Sequence, residues 1–169
     1  TTGGMFCAVT GNAPSTTSGL GVNDVDGGET TLESPNYDLS AYTNPIFSYY
    51  RWYINNPPSS ANPANDYWEV QISNDNTNWT KIERTNVSDK SWRKYAFRVT
   101  DYITLSSTVK IRFVAEDSVI VGANLNGGSL VEAAIDDVFL YEEYVVGINE
   151  NQNITGVNVY PNPAINSVS

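Results

Sequence analysis

The chain is a succession of short segments in which apolar and polar residues alternate, separated by clusters of Gly, Pro, Asn, Asp and Ser. Alternation at period two marks half-buried strands, and the clusters between them are turn chemistry. The clearest segment is "STVKIRFVAE", where Val109, Ile111 and Phe113 share one face and Lys110 and Arg112 the other. "MFCAVT", "TTLES", "IFSYYRWYI", "YWEVQIS", "TKIE", "WRKYAFRV" and "SLVEAAIDDVFLYEEY" read the same way, which predicts about eight strands and no helix. That number suits an all-β fold, a two-sheet antiparallel β-sandwich. "SNDNTNW" predicts a hairpin loop, because Asn and Asp tolerate left-handed backbone. "NNPPSSANPAND" and "VIVGANLNGGS" predict longer surface loops, where binding function often sits.

After Tyr144 the alternation stops, and "VVGINENQNITG" is polar and Asn-rich, the texture of a linker. The expected organisation is a β-sandwich over residues 1–144, a linker over 145–156, and the start of a further element over 157–169, "VNVYPNPAINSVS". At 169 residues and 40% hydrophobic, the chain can bury one good core but hardly two.

Nine Lys and Arg against nineteen Asp and Glu leave a formal charge of -10. Such a chain repels phosphate backbones and anionic membrane surfaces, so no nucleic-acid partner is expected. No apolar run approaches the ~20 residues that cross a bilayer, and "TTGGMFCAVT" lacks the basic start and apolar stretch of a signal peptide. No membrane insertion is expected. Cys7 is the only cysteine and has no internal disulfide partner; its neighbours Phe6, Ala8 and Val9 predict a small buried hydrophobe. Histidine is absent, which removes Ser-His-Asp and Cys-His catalysis and every His-containing zinc motif. What remains is carboxylate chemistry. Glu116, Asp117, Glu132, Asp136 and Asp137 are the candidates for a glycosidase acid and base, a reading weakened by how many such pairs an acidic chain offers by chance.

Calcium is the better use for acids. "NDVDGG" sets Asp24 and Asp26 two apart in a Gly-rich loop that can turn both carboxylates toward one hard cation, although Pro35 stands where an EF-hand needs its bidentate Glu. Asp136 and Asp137 interrupt the apolar run "VEAAIDDVFLY", where a buried charge needs compensation. Period two leaves open which of them turns inward. The competing account is a turn-capping Asp and an Asp paired with Arg51, Arg98 or Arg112. The cluster "YYRWY" puts Tyr50 and Trp52 on one face and Tyr49 and Tyr53 on the other, one set filling the core and the other free to stack on sugar rings. Tyr49, Tyr53 and Trp68 are the candidate carbohydrate-binding residues; Trp68, Trp79 and Trp92 also suit core anchors. Asn78, Asn86 and Asn153 head N-glycosylation sequons that matter only in a eukaryotic pathway.

"FCAVTGNA", "NDVDGGETTLESPNYDLS", "FSYYRWYINN", "YWEVQISNDNTNWTKIE", "WRKYAFRV" and "SLVEAAIDDVFLYE", spanning about residues 5 to 142, together resemble the MAM-like jelly-roll module found beside catalytic domains, zinc carboxypeptidases among them, in secreted Bacteroidetes proteins. "VNVYPNPAINS" resembles the first strand of the C-terminal sorting domain of type IX secretion. The resemblances imply a jelly roll, a structural Ca²⁺ bridging Asp24 or Asp26 with Asp136 or Asp137, and secretion or display at the outer-membrane surface. They also imply a sorting domain cut short, and a strand missing ahead of Met5. "DSV" at Asp117 to Val119 resembles the Bacteroidetes O-glycosylation tripeptide, which would modify Ser118. The expected function is a non-catalytic accessory or adhesion module of a larger protein, stabilised by calcium. Its partners would be the neighbouring domain, the type IX machinery through the tail, and glycan or surface protein. A carbohydrate-binding module is the first alternative, and a carboxylate hydrolase the second.

Overall fold

The computed structural model describes residues 4–12, 14–18, 22–56, 66–117 and 130–143. Each predicted alternating segment overlaps one strand: β1 (Ala8–Val9), β2 (Gly28–Glu33), β3 (Pro45–Asn56), β4 (Trp68–Ser73), β5 (Thr80–Thr85), β6 (Asp89–Arg98), β7 (Lys110–Asp117) and β8 (Leu130–Glu142). They form two four-stranded sheets, a front sheet ordered β1-β8-β3-β6 and a back sheet ordered β2-β7-β4-β5. Every pairing is antiparallel. β1 meets β8, β2 meets β7, β3 meets β6 and β4 meets β5, so the chain is a long ribbon folded at the β4–β5 hairpin and wrapped over itself. That winding is the jelly roll.

The hairpin forms where its residues predict it. Asp75 Oδ1 accepts hydrogen bonds from the Thr77 and Asn78 amides at 2.8 and 2.7 Å, and Asn76 takes the left-handed backbone at φ 60°. The Asn78 side chain and amide hold the Asp75 carboxyl well below the usual carboxylate range.

Between the sheets lie Phe47, Tyr49 and Tyr53 of β3, Trp68, Val70 and Ile72 of β4, Ile111 and Phe113 of β7, and Val131, Ala133 and Ile135 of β8. Tyr49 meets Phe113 edge-on, with ring centroids 5.1 Å apart, and Trp68 stacks on Phe113 at 6.0 Å. Such pairs add about 0.5–1.5 kcal/mol each beyond the area they bury. Cys7 departs from expectation and is exposed. β1 is a two-residue edge strand whose own residues are exposed, and the segment before it, with Met5 and Phe6 also exposed, passes beside Asp136 of β8 at Gly4 without burying its side chains.

Two irregularities shape the front sheet: the β3–β6 register shifts between Arg51 and Tyr53, and the β3–β8 register shifts between Ser48 and Tyr50. Asp136 pairs with Tyr50 and Phe139 with Ser48, so β8 spends three residues where β3 spends two. The extra residue is a β-bulge in which Asp137 has φ 49° and donates its amide to Asp136 Oδ1 at 2.8 Å.

Candidate functional site

The period-two division of "YYRWY" holds, and its sense is opposite to the expected one. Tyr49 and Tyr53 have no exposed surface and Trp68 is 2% exposed, so none of the three can meet a sugar. What turns them inward is a polar cluster inside the sandwich. Glu83 of β5 accepts hydrogen bonds from Arg51 Nε (2.8 Å), Tyr49 OH (2.7 Å) and Trp68 Nε1 (3.1 Å). Burial first, and then the Glu83 carboxylate, push the Tyr49 phenol far above its ordinary range, so it stays a donor. Tyr53 reaches the Asp66 carbonyl at 3.2 Å and is raised chiefly by burial.

The even-numbered residues of β3 face outward, away from the core. Tyr50 and Trp52 are partly exposed there. Around them the register sets cross-strand rows. Trp52 lies beside Ala134 of β8, with Val9 of β1 beyond; Tyr50 lies between Asp136 of β8 and Lys94 of β6; Ser48 lies between Phe139 and Ala96; Ile46 lies between Tyr141 and Arg98. Phe139 and Tyr141 are 53% and 45% exposed, and Trp92, in the irregular stretch of β6, is 37% exposed rather than a core anchor. A pocket of about 200 Å³ opens at the Trp52 end, walled by Trp52, Glu132, Thr10 and Asn23. A shallower hollow of about 470 Å³ lies at the other end, beside Ile46, Arg98 and Tyr141.

The back sheet is different. Its outward aromatic Trp79 is covered by the Arg112 guanidinium, 4.1 Å from the ring centroid, and Tyr67 by that of Arg84, at 3.2 Å. Glu69 there is bonded to both Lys81 and Arg84. Among the described residues, no cation is stacked on the front-sheet aromatics.

The acids are distributed otherwise than the sequence suggests. Asp24 stands near Asp26 and Glu132, and its carboxyl pKa is raised by burial first and then by Asp26, with Glu132 adding a smaller push. Asp136 and Asp137 lie four and five residues beyond Glu132 along β8, at the bulge, and the side chain of Asp136 is turned back on its own strand. The cations offered as their partners are engaged elsewhere: Arg51 with Glu83, Arg98 with Glu143, and Arg112 with Gln71. Among the described residues no three Asp, Glu, His or Cys side chains come close enough to hold a metal. The glycosidase candidates are also dispersed. Asp117 is buried with the inward residues of β7, Glu116 alternates to the outside of the back sheet, and Glu132 and Asp136 face outward from the front sheet. Ser118, the loops 57–65 and 118–129, the linker 145–156 and the stretch 157–169 lie outside the described residues.

No family model matches the chain, and no curated protein matches it. Among solved structures it is similar to the module TmCBM61 in complex with β-1,4-galactotriose, at 13% identity and TM-score 0.41, over 72% of this chain and 68% of that one. It is also similar to a family 16 carbohydrate-binding module, at 13% identity and TM-score 0.37, over 69% of this chain and 72% of the other.

Proposed function

We propose that this chain is a non-catalytic carbohydrate-binding module whose ligand lies on the outer face of the front sheet. The observation that supports it is the row at Tyr50: an outward aromatic, with Trp52 two residues along the same strand, flanked by a carboxylate on β8 and an ammonium on β6. A sugar ring has an apolar C–H face and a rim of hydroxyls. Aromatic rings meet the first, and the hydroxyls would donate to Asp136 Oδ2, Oδ1 being taken by the Asp137 amide, and accept from Lys94 through charge-assisted bonds. Paired strands hold these backbone positions in place before binding, which lowers the ordering cost. The module would serve a neighbouring domain of a larger protein. Its placement at a cell surface or in the secreted fraction, through type IX export, rests on the sequence resemblance alone.

The test is affinity gel electrophoresis in native gels containing soluble galactan, xylan or hydroxyethylcellulose. Retardation by at least one is expected, and lost in Trp52→Ala. Migration unchanged in all three, with a glycan array also blank, would leave a scaffold or protein-adhesion role in its place.

Structural calcium is a second reading, favoured by the repulsion between Asp24 and Asp26, which a cation would relieve. In chelator, Asp24→Asn relieves repulsion and raises the melting temperature. If calcium binds there, millimolar Ca²⁺ raises the melting temperature of the unaltered chain and not of Asp24→Asn. An unaltered chain indifferent to both calcium and chelator would end the calcium proposal.

A further inference from the structure

We infer that the ligand of this face is an extended, neutral oligosaccharide lying along β3, with Tyr141 and Arg98 forming a second contact at the end opposite Trp52. This rests on the carbohydrate-binding reading above and adds to it the shape, charge and direction of the ligand. The first support is the bulge. Counting outward positions by twos from Ala134 and Asp136 would turn residues 138 and 140 outward. The extra residue at Asp137 reverses the alternation, so Leu140 packs against the core opposite Phe47 while Phe139 and Tyr141 turn outward beside Ser48 and Ile46. Bulges commonly re-aim side chains at functional sites, and this one puts two aromatics on the same face as Tyr50 and Trp52.

The second support is length and relief. Trp52 and Ile46 are six residues apart on a strand rising about 3.4 Å per residue, so the rows they mark are about 20 Å apart, longer than a single sugar. The row between, Ser48 with Ala96, carries small side chains; Ser48 itself is covered, at 2% exposed, and Ala96 is exposed, so a chain can pass over this low row beside Phe139. Each end is concave, with Trp52 walling one hollow and Tyr141 and Arg98 the other.

The third support is charge. Acids line the β8 side, Glu132 and Asp136, and cations the β6 side, Lys94 and Arg98, with Arg98 held by Glu143 at 3.2 Å. A face with both signs, on a chain of formal charge -10, suits hydroxyls and rejects a polyanion.

The experiment uses isothermal titration of the full chain with oligosaccharides, from disaccharide to hexasaccharide, cut from whichever of galactan, xylan or cellulose the gels identify. Affinity is expected to climb with length. Tyr141→Ala is expected to weaken the hexasaccharide about tenfold and leave the disaccharide unchanged, while Trp52→Ala weakens both. Tyr141→Phe, which keeps the ring, is expected to keep most of the affinity and guards against a folding artefact. Equal affinity for disaccharide and hexasaccharide, or a hexasaccharide indifferent to Tyr141→Ala, overturns the inference while leaving carbohydrate binding intact. Preferential retardation by polygalacturonate overturns its neutral character. No binding to any glycan removes the carbohydrate reading itself.

Discussion

Replacing Glu83 with Ala is expected to cost the fold about 3–5 kcal/mol, the usual result of stripping one partner from a buried charge. The side chains of Arg51 and Glu83 are 12% and 9% exposed, so water screens them poorly. The loss reaches beyond the ion pair. Oε1 of Glu83 serves Arg51, and Oε2 serves both Tyr49 and Trp68, so truncation strands a guanidinium, a phenol and an indole N–H together between the sheets. Among the described residues Arg51 Nη1 already has no hydrogen-bond partner in its buried position, which leaves the guanidinium little means of recovering what it loses. Because domains of this size are stable by only about 5–15 kcal/mol, the variant would sit near the unfolding threshold. Urea unfolding measures the effect. Glu83→Gln, which keeps an acceptor, should lose less, and the double change Arg51→Met with Glu83→Met should be more stable than Glu83→Ala, since it removes the stranded charge along with its partner. A midpoint in Glu83→Ala within error of the unaltered chain would show that this cluster does not brace the sandwich.

The same cluster explains what could and could not be seen in the sequence. Strand positions and the β4–β5 hairpin are local properties, written in alternation and in Asp75 and Asn76, and they were legible. Which face of β3 turns inward was not. The outward residues Ile46, Tyr50, Trp52 and Ile54 are more apolar than an inward set that includes Arg51 and Asn55, so hydrophobicity taken alone favours the wrong face. What reverses it is Glu83, 32 residues away from Arg51 along the chain and on the opposite sheet. The outward turn of Phe139 and Tyr141 was hidden for a related reason. A bulge adds one residue without altering composition, and strict period two carried through Asp136–Asp137 assigns every later side chain to the wrong side. The clue present in the sequence was the acidic pair itself, which suits a distorted strand position better than a regular one. Cys7 reads as buried because its neighbours are apolar, yet it adjoins an edge strand of two residues, Ala8 and Val9, that are themselves exposed, so apolar neighbours in sequence supply no cover.

Trp52→Ala is expected to weaken glycan binding by about 2 kcal/mol or more, the scale of a Trp at the centre of a contact surface, or roughly thirtyfold in Kd. Position supports the size of the effect. Trp52 is on a central strand, faces out, walls the pocket at its end of the face and, among the described residues, carries no guanidinium of the kind that covers Trp79 and Tyr67. Its neighbour across the sheet, Ala134, is too small to replace the lost surface. The informative comparison is with the inward aromatics. Tyr49→Phe removes a hydroxyl bonded to Glu83 and should lower stability, while folded protein keeps its affinity, because that ring never reaches the surface. Trp52→Ala should do the reverse, losing affinity with a smaller change in unfolding midpoint. If Tyr49→Phe weakened binding as much as Trp52→Ala at equal folded fraction, binding would depend on the interior rather than on the outer face, and the front sheet would not be the site.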